Sequence, residues 1–203
     1  MEKLYSEVER LKQHFDAIDK EREKAYKDAR ELRRMSVQAV RDAQRGKFDE
    51  ARKLVEQGAA LAETLAGGST RFGFVDEAQQ EYAEAAFTLA FLKGEDPPTQ
   101  QELKTDERGY LLGLADTVGE IRRNALNLLR SDRIEEAKDC MDLMDDLHGL
   151  LLKFDHTDAV IPLRRKQDML RGIIERTRAD LTNIICQKRL ESCIRNSTQD
   201  TSE

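Results

Sequence analysis

Residues 2–45 have the sequence EKLYSEVERLKQHFDAIDKEREKAYKDARELRRMSVQAVRDAQR, which contains neither glycine nor proline. Apolar residues recur in it at alternating spacings of four and three, beginning with Leu4, Val8, Leu11, Phe15 and Ile18. This spacing places them on one face of an α-helix. Gly46 follows as a residue type that commonly ends helices. The stretch therefore predicts one very long amphipathic helix and favours an all-α fold.

The rest of the chain predicts five more helices by the same periodicity. Their expected ranges are about 48–66, 70–93, 107–130, 132–154 and 162–192, with one longer loop at 94–106 that contains two prolines. Ser69 or Thr70 is the expected N-cap of the third helix, and Pro162 suits the first turn of the sixth. Long helices with short connections favour an elongated antiparallel bundle of six to seven helices. We expect one domain over 1–192 and a disordered tail over 193–203.

The composition excludes several classes of protein. The 203 residues include 34 Lys and Arg, 40 Asp and Glu, three Pro and no Trp. Such a composition is typical of helices rather than of β-sandwiches or barrels. No apolar run approaches the ~18 residues that span a membrane, and the charged N-terminus does not resemble a signal peptide. Three cysteines without CxxC spacing argue against a disulfide framework or a zinc site. We therefore expect a cytoplasmic protein with no membrane partner.

Acidic residues on the third predicted helix lack basic neighbours. Residues 72–92 include Asp76, Glu77, Glu81 and Glu84 but no Lys or Arg. Glu77, Glu81 and Glu84 fall along one helical line, where like charges are mildly destabilising. This line borders the apolar stripe of the helix instead of opposing it. The pattern indicates either a site for a cation or, as the alternative, a solvated acidic face.

The fourth predicted helix repeats this pattern. Asp116 and Glu120 share a face on which only Arg123 can compensate them, while Gly113 and Gly119 leave room for another backbone, a ligand or a metal ion. If the acidic pairs of the two helices converge, they require a cation, and oxygen donors favour Mg²⁺ or Mn²⁺. We expect a further acidic line, interrupted by a lysine, to be a solvated face; it consists of Glu135, Asp139, Asp142 and Asp146.

Both acidic segments resemble motifs of one protein family. Residues 80–85, QEYAEA, resemble the Q-E-Y-x-E-A segment of translin-associated factor X. Residues 110–120, YLLGLADTVGE, are similar to the Y-L-L-G-x-A-D-x-x-G-E segment of the same proteins. The resemblance to the translin family, and to its compact archaeal members, covers roughly residues 1–192.

The resemblance implies a fold of about seven helices and a homo-oligomeric shell, often of eight subunits. It also implies a Mg²⁺-dependent endoribonuclease that cleaves single-stranded RNA inside that shell, with single-stranded DNA as a further nucleic-acid partner. The catalytic and metal-binding carboxylates of the family fall on Glu81, Glu84, Asp116 and Glu120. Glu120 would either complete the metal ligands or act as general base.

Three arginines are candidates for RNA binding. Arg71, followed by Phe72, resembles an Arg-Phe pair on the RNA-binding surface of translin. Arg122 and Arg123 adjoin the second acidic pair in sequence, so we expect them to hold phosphates. Aromatic residues make up only 5% of the chain and are not interleaved with basic ones, which favours backbone recognition over base stacking. Two alternatives stay open: a non-catalytic, translin-like oligomer that binds single-stranded nucleic acid, and a helical scaffold.

Overall fold

The N-terminal helix predicted from the sequence is present and extends over 42 residues. In the computed structural model, which describes residues 1–68 and 72–200, α1 spans Glu2–Ala43. The apolar seam is buried in the C-terminal half of α1, at Ala29, Leu32, Ser36, Ala39 and Ala43. The same seam is exposed in the N-terminal half, at Leu4, Val8, Leu11 and Phe15. One helix face therefore covers the protein core at one end and is open at the other.

Six further helices follow α1 within the described residues. They are α2 (Phe48–Ala66), α3 (Gly73–Lys93), α4 (Gln100–Leu103), α5 (Glu107–Arg130), α6 (Ile134–Leu151) and α7 (Arg164–Asp200). The described part of the chain contains no strand, so the all-α prediction is confirmed. No helix in that part combines the length and apolar character needed to cross a membrane.

Several helix boundaries differ from the sequence prediction, and one short helix was not predicted. The predicted loop at 94–106 contains the short helix α4, whose N-terminus is fixed by a capping box between Thr99 and Glu102. Helix α7 continues to Asp200, past the expected end near Cys193, because residues 192–200 contain no glycine or proline to stop it. Helix α3 begins at Gly73, and its expected caps, residues 69 and 70, lie outside the described residues.

The chain forms two compact units, Met1–Leu114 and Ala115–Glu203. In the first unit, α1 packs against α2 and α3. Its main core consists of Ala29, Leu32, Ala62, Leu65, Val75, Ala78, Tyr82, Ala83, Ala86, Phe87 and Leu103. Because many of these side chains are alanine, the helix backbones can approach closely.

In the second unit, α6 packs against α7. The buried apolar residues of these two helices are Ala137, Met141, Met144, Leu147, Leu151, Leu170, Ile174 and Leu181. Within each helix they are three, four or seven residues apart, which places them on one helical face. In the first unit, this packing fixes which face of α3 carries its candidate site residues.

Candidate functional site

The acidic line on α3 lies at the edge of the buried core of the first unit. The Glu77 side chain is exposed, whereas Glu81 retains only 24% of its exposure and Glu84 is half-buried. Tyr82 and Ala83, between Glu81 and Glu84, are buried. The predicted position of the line beside the apolar stripe is therefore confirmed, and Glu81 loses more of its hydration than Glu77 does.

Arg33 of α1 compensates two of these carboxylates. Its Nε donates a hydrogen bond of 3.0 Å to Glu81 Oε1, and its Nη1 donates one of 3.2 Å to Glu77 Oε2. The hydrogen bond to Glu81 is the main cause that raises the pKa of Arg33 above its ordinary value. Sequence reasoning missed Arg33 because it lies on another helix, 48 residues before Glu81. Its only local signal is its position beside the seam of α1.

The two carboxylate oxygens of Glu81 differ in their hydrogen-bond partners. Glu81 Oε2 is buried and has no hydrogen-bond partner among the described residues. A buried carboxylate oxygen without a donor is costly, because the water it loses on folding is not replaced. Arg33 thus neutralises Glu81 on one side and leaves an oxygen acceptor on the other. An acceptor of this kind is suited to a cation or to a donor group of a ligand.

Two glycines bring the start of α5 close to the acidic segment of α3. A Cβ built on Gly113 would lie 2.6 Å from the Gln80 carbonyl oxygen and 2.8 Å from the Glu84 nitrogen. A Cβ on Gly109 would lie 2.7 Å from Gln79 Cβ. The expectation that Gly113 admits another backbone is therefore confirmed. Gly119 has no such neighbour within 4 Å among the described residues, so no backbone approaches it there, and a ligand or a metal ion at that position stays a prediction.

The second unit holds the other predicted acidic pair, Asp116 and Glu120. Both side chains are half-buried, at 30% and 21% exposure. Lys166 of α7 donates a hydrogen bond to Asp116 Oδ1. The Arg123 guanidinium lies 3.5 Å from Glu120 Oε2, one turn along α5. The compensation of Glu120 by Arg123 was predicted from the sequence, whereas Lys166, from a different helix, was not.

Two of the three predicted RNA-binding arginines line one cleft on α5. The cleft has a volume of about 370 Å³ and is lined by Gly119, Arg122, Arg123, Leu126, Asn127 and Arg130. Arg122 is turned into the unit, because it donates to Thr177 and, at 3.0 Å, to Asp180 Oδ2. Arg123 is 57% exposed. Arg130, which sequence reasoning missed, has no ion-pair partner in the described part of the chain. Arg71 lies outside the described residues.

The described residues contain no group of three or more His, Cys, Asp or Glu side chains arranged to hold a metal ion. The assignment of Glu81, Glu84, Asp116 and Glu120 as metal ligands therefore stays a prediction. The acidic line of α6 was predicted to be a solvated face. All four of its residues are exposed: Glu135, Asp139, Asp142 and Asp146. These acids lie outside the apolar seam of α6, whereas the acids of the two candidate pairs are partly buried.

Comparisons with known proteins place these features in context. A chain of the AfC3PO–duplex RNA complex superposes with a TM-score of 0.80 and 28% identity, covering 89% of this chain and 97% of that one. A chain of apo-NeC3PO shares the fold, with a TM-score of 0.78, 24% identity and coverages of 87% and 96%. An uncharacterized protein of Methanocaldococcus jannaschii is 32% identical over 173 residues, which are 82% of this chain and 78% of that protein.

The sequence model of the translin family matches residues 8–178. This range includes both acidic motifs, α1 from its first turns, and α7 to its middle. The predicted resemblance is thereby confirmed over most of the chain. The chain belongs to the translin family.

Proposed function

We propose that this protein is a Mg²⁺-dependent endoribonuclease that cleaves single-stranded RNA as a homo-oligomer. The observation that carries the proposal is Glu81 Oε2, a buried carboxylate oxygen without a hydrogen-bond partner among the described residues. The ion pair with Arg33 involves Oε1 only, so it leaves the burial of Oε2 without a compensating donor among those residues. Glu81 also lies in the segment QEYAEA, by which the chain resembles the catalytic members of its family.

The donor chemistry fits a hard divalent cation. Glu81, Glu84, Asp116 and Glu120 offer only carboxylate oxygens, which Mg²⁺ and Mn²⁺ prefer over nitrogen or sulfur. Of these four, Glu81 fits best, because Arg33 occupies one oxygen and the other accepts from no donor in the described part of the chain. When bound, such a cation polarises a phosphate and makes water a stronger nucleophile.

The basic residues of α5 supply a means to hold the RNA backbone. The cleft lined by Arg122, Arg123 and Arg130 has room for a phosphate group and presents exposed guanidinium groups to it. Arginine suits this role because its planar fork of donors matches phosphate oxygens. Arg122 is held by Asp180 and Thr177 and would position the cleft wall, whereas Arg123 and Arg130 would contact phosphates.

The comparisons support RNA as the class of substrate and an oligomer as the working form. The structure of AfC3PO, a similar protein, was solved as a complex with duplex RNA. The preference for single strands, and an octamer as the oligomer, come from the resemblance of the acidic motifs. The exposed seam of α1 at Leu4, Val8, Leu11 and Phe15 supports self-association, because a contiguous apolar face this long is rarely left open to water.

A non-catalytic RNA-binding oligomer is the second candidate. Lys166 holds Asp116 and Arg33 holds Glu81, so both acidic pairs are partly neutralised by the protein itself. Ion pairs of this kind favour a structural role for the carboxylates. RNA binding through the arginine cleft would then be the whole function.

Cleavage of a labelled single-stranded RNA separates the two candidates. The protein is assayed with Mg²⁺, with EDTA, and as the Glu81→Gln and Asp116→Asn variants, which keep side-chain size and remove charge. The nuclease predicts cleavage that needs both the cation and each carboxylate. The matched control is Asp139→Asn, on the acidic line of α6, which we expect to cleave as the unaltered protein does. Binding without cleavage would favour the second candidate.

A further inference from the structure

A second cleft, in the first unit, brings aromatic and basic side chains together. It has a volume of about 270 Å³ and is lined by Tyr26, Ala29, Arg30, Arg33 and Phe74. Four of these residues come from one face of α1, and Phe74 comes from the first turn of α3. Ligand clefts usually measure ~300–1,000 Å³, so this one suits a single ring-sized group of a larger ligand.

The aromatic wall of the cleft is a fixed stack. The Phe74 ring lies parallel to Phe72, with centroids 5.3 Å apart and an interplanar angle of 4°. Tyr26 meets Phe74 edge to face, at 5.4 Å and 86°. Phe72 and Phe74 also pack on the core of the unit, whereas Tyr26 is 51% exposed. Tyr26 thus presents an aromatic surface to solvent, in an orientation set by its neighbours.

The basic wall consists of two arginines with different partners. Arg33 is engaged by Glu81 and Glu77, so it links the cleft directly to the acidic line on α3. Arg30 has no ion-pair or hydrogen-bond partner among the described residues, although it lies one helical turn from Tyr26. An exposed arginine beside an open aromatic ring offers one positive charge and one stacking surface within the length of a nucleotide.

We propose that this cleft binds one nucleotide of the RNA, with its base stacked on Tyr26 and its phosphate held by Arg30. The inference rests on the proposed function, because Arg33 joins the cleft to Glu81 and thereby makes it a subsite of the same strand. Aromatic rings stack with every base, and arginine pairs with phosphate, so the subsite recognises single-stranded RNA without reading its sequence. Bases within a duplex are already stacked on one another and are not available to Tyr26, so the subsite favours a single strand.

The absence of tryptophan from the chain makes the test direct. The Tyr26→Trp variant carries one indole fluorophore in the cleft, and Phe154→Trp, in the second unit, carries one elsewhere. Both are titrated in EDTA, which removes the cation that the proposed cleavage needs, with 2′-O-methyl hexa-adenylate and with an abasic oligomer of the same backbone. We expect the base-bearing oligomer to quench the fluorescence of the Tyr26→Trp variant and the abasic one to do so much less. Phe154→Trp should respond to neither.

Affinity measurements on the unlabelled protein give the size of the effect. Loss of one base–aromatic stack weakens Kd by about 5- to 150-fold, and we expect this for Tyr26→Leu with hexa-adenylate but not with the abasic oligomer. Tyr26→Phe keeps the ring and should retain the Kd. Arg30→Gln should reduce the slope of log Kd against log salt by about 1. Circular dichroism melting of each variant verifies that folding is intact, which the half-exposed position of Tyr26 favours.

The results that would overturn the subsite differ from those that would overturn the nuclease. Equal affinities for base-bearing and abasic oligomers, no binding of either, or a Tyr26→Leu variant with unaltered Kd would each overturn the subsite. Because the titrations use EDTA, they do not depend on cleavage. A protein that binds through Tyr26 but never cleaves would refute the nuclease and leave the subsite standing.

Discussion

The contact between α3 and the start of α5 predicts opposite effects for two glycine-to-alanine substitutions on one helix. A Cβ on Gly113 would meet the Gln80 carbonyl oxygen at 2.6 Å, Ala83 Cβ at 2.7 Å and the Glu84 nitrogen at 2.8 Å. Two of these atoms belong to the α3 backbone and cannot rotate away. At Gly119, six residues later, no described residue lies within 4 Å of the position that its Cβ would take. Gly113→Ala should therefore destabilise the protein and Gly119→Ala should stabilise it.

The magnitudes follow from two terms. Alanine is favoured over glycine in a helix interior by up to ~1 kcal/mol, and this gain applies to both variants. Overpacking a close contact costs about 1–3 kcal/mol or more, and the three contacts below 3.0 Å place Gly113→Ala at the upper end. We expect a net loss of about 2 kcal/mol for Gly113→Ala and a gain of up to ~1 kcal/mol for Gly119→Ala.

Urea unfolding followed by circular dichroism measures both values at one protein concentration. With an m-value of about 2 kcal/mol per molar urea, the midpoint should fall by roughly 1 M for Gly113→Ala and rise by roughly 0.5 M for Gly119→Ala. A Gly113→Ala midpoint equal to or above that of Gly119→Ala would refute the close approach of the two backbones. The comparison is sharp because both substitutions add one methyl group to the same helix.

The pH response, cation response and self-association of the chain can each be tested by one substitution. Burial raises the pKa of Tyr82 to about 12. Stability should therefore fall between about pH 10 and 12, where the unfolded chain loses this proton first, and thermal melting should show a smaller fall for Tyr82→Phe. Lys166 occupies Asp116 and would compete with a cation for it, so the melting temperature of Lys166→Met should rise at a lower Mg²⁺ concentration. A melting temperature that depends on Mg²⁺ as in the unaltered protein would contradict this. Light scattering should show a smaller mass for Leu11→Asp, on the exposed seam, while Glu9→Gln keeps the mass of the unaltered protein.

The helices and the acidic lines were predictable because their signals are local. The range of α2 matches the prediction at both ends, because Gly46 and Gly67 flank a segment with one continuous helical periodicity of apolar residues. The partial burial of Glu81 followed from its position beside an apolar stripe. The short helix α4 was not predicted, because the two prolines just before it indicated a loop. Thr99 and Glu102 nevertheless have the spacing of a capping box.

The partners of the acids were not predictable, because they are set by tertiary packing. Arg33 and Lys166 reach Glu81 and Asp116 from other helices, 48 and 50 residues away in sequence. These acids are uncompensated along their own helices but not in the folded units. The aromatic cleft escaped notice for the same reason: Tyr26 and Phe74 become neighbours only when α1 and α3 pack.

The Arg33–Glu81 pair also bears on whether a new chain folds before or after it binds a ligand. Because Arg33 neutralises Glu81 from within the chain, α1 and α3 can close on each other before any ligand arrives. Assembly of the helices and occupation of the acidic line are then two separate stages, and the first does not wait for the second. Folding of the first unit then needs neither an ion nor RNA, and any ligand of the acidic line would meet a chain that is already folded.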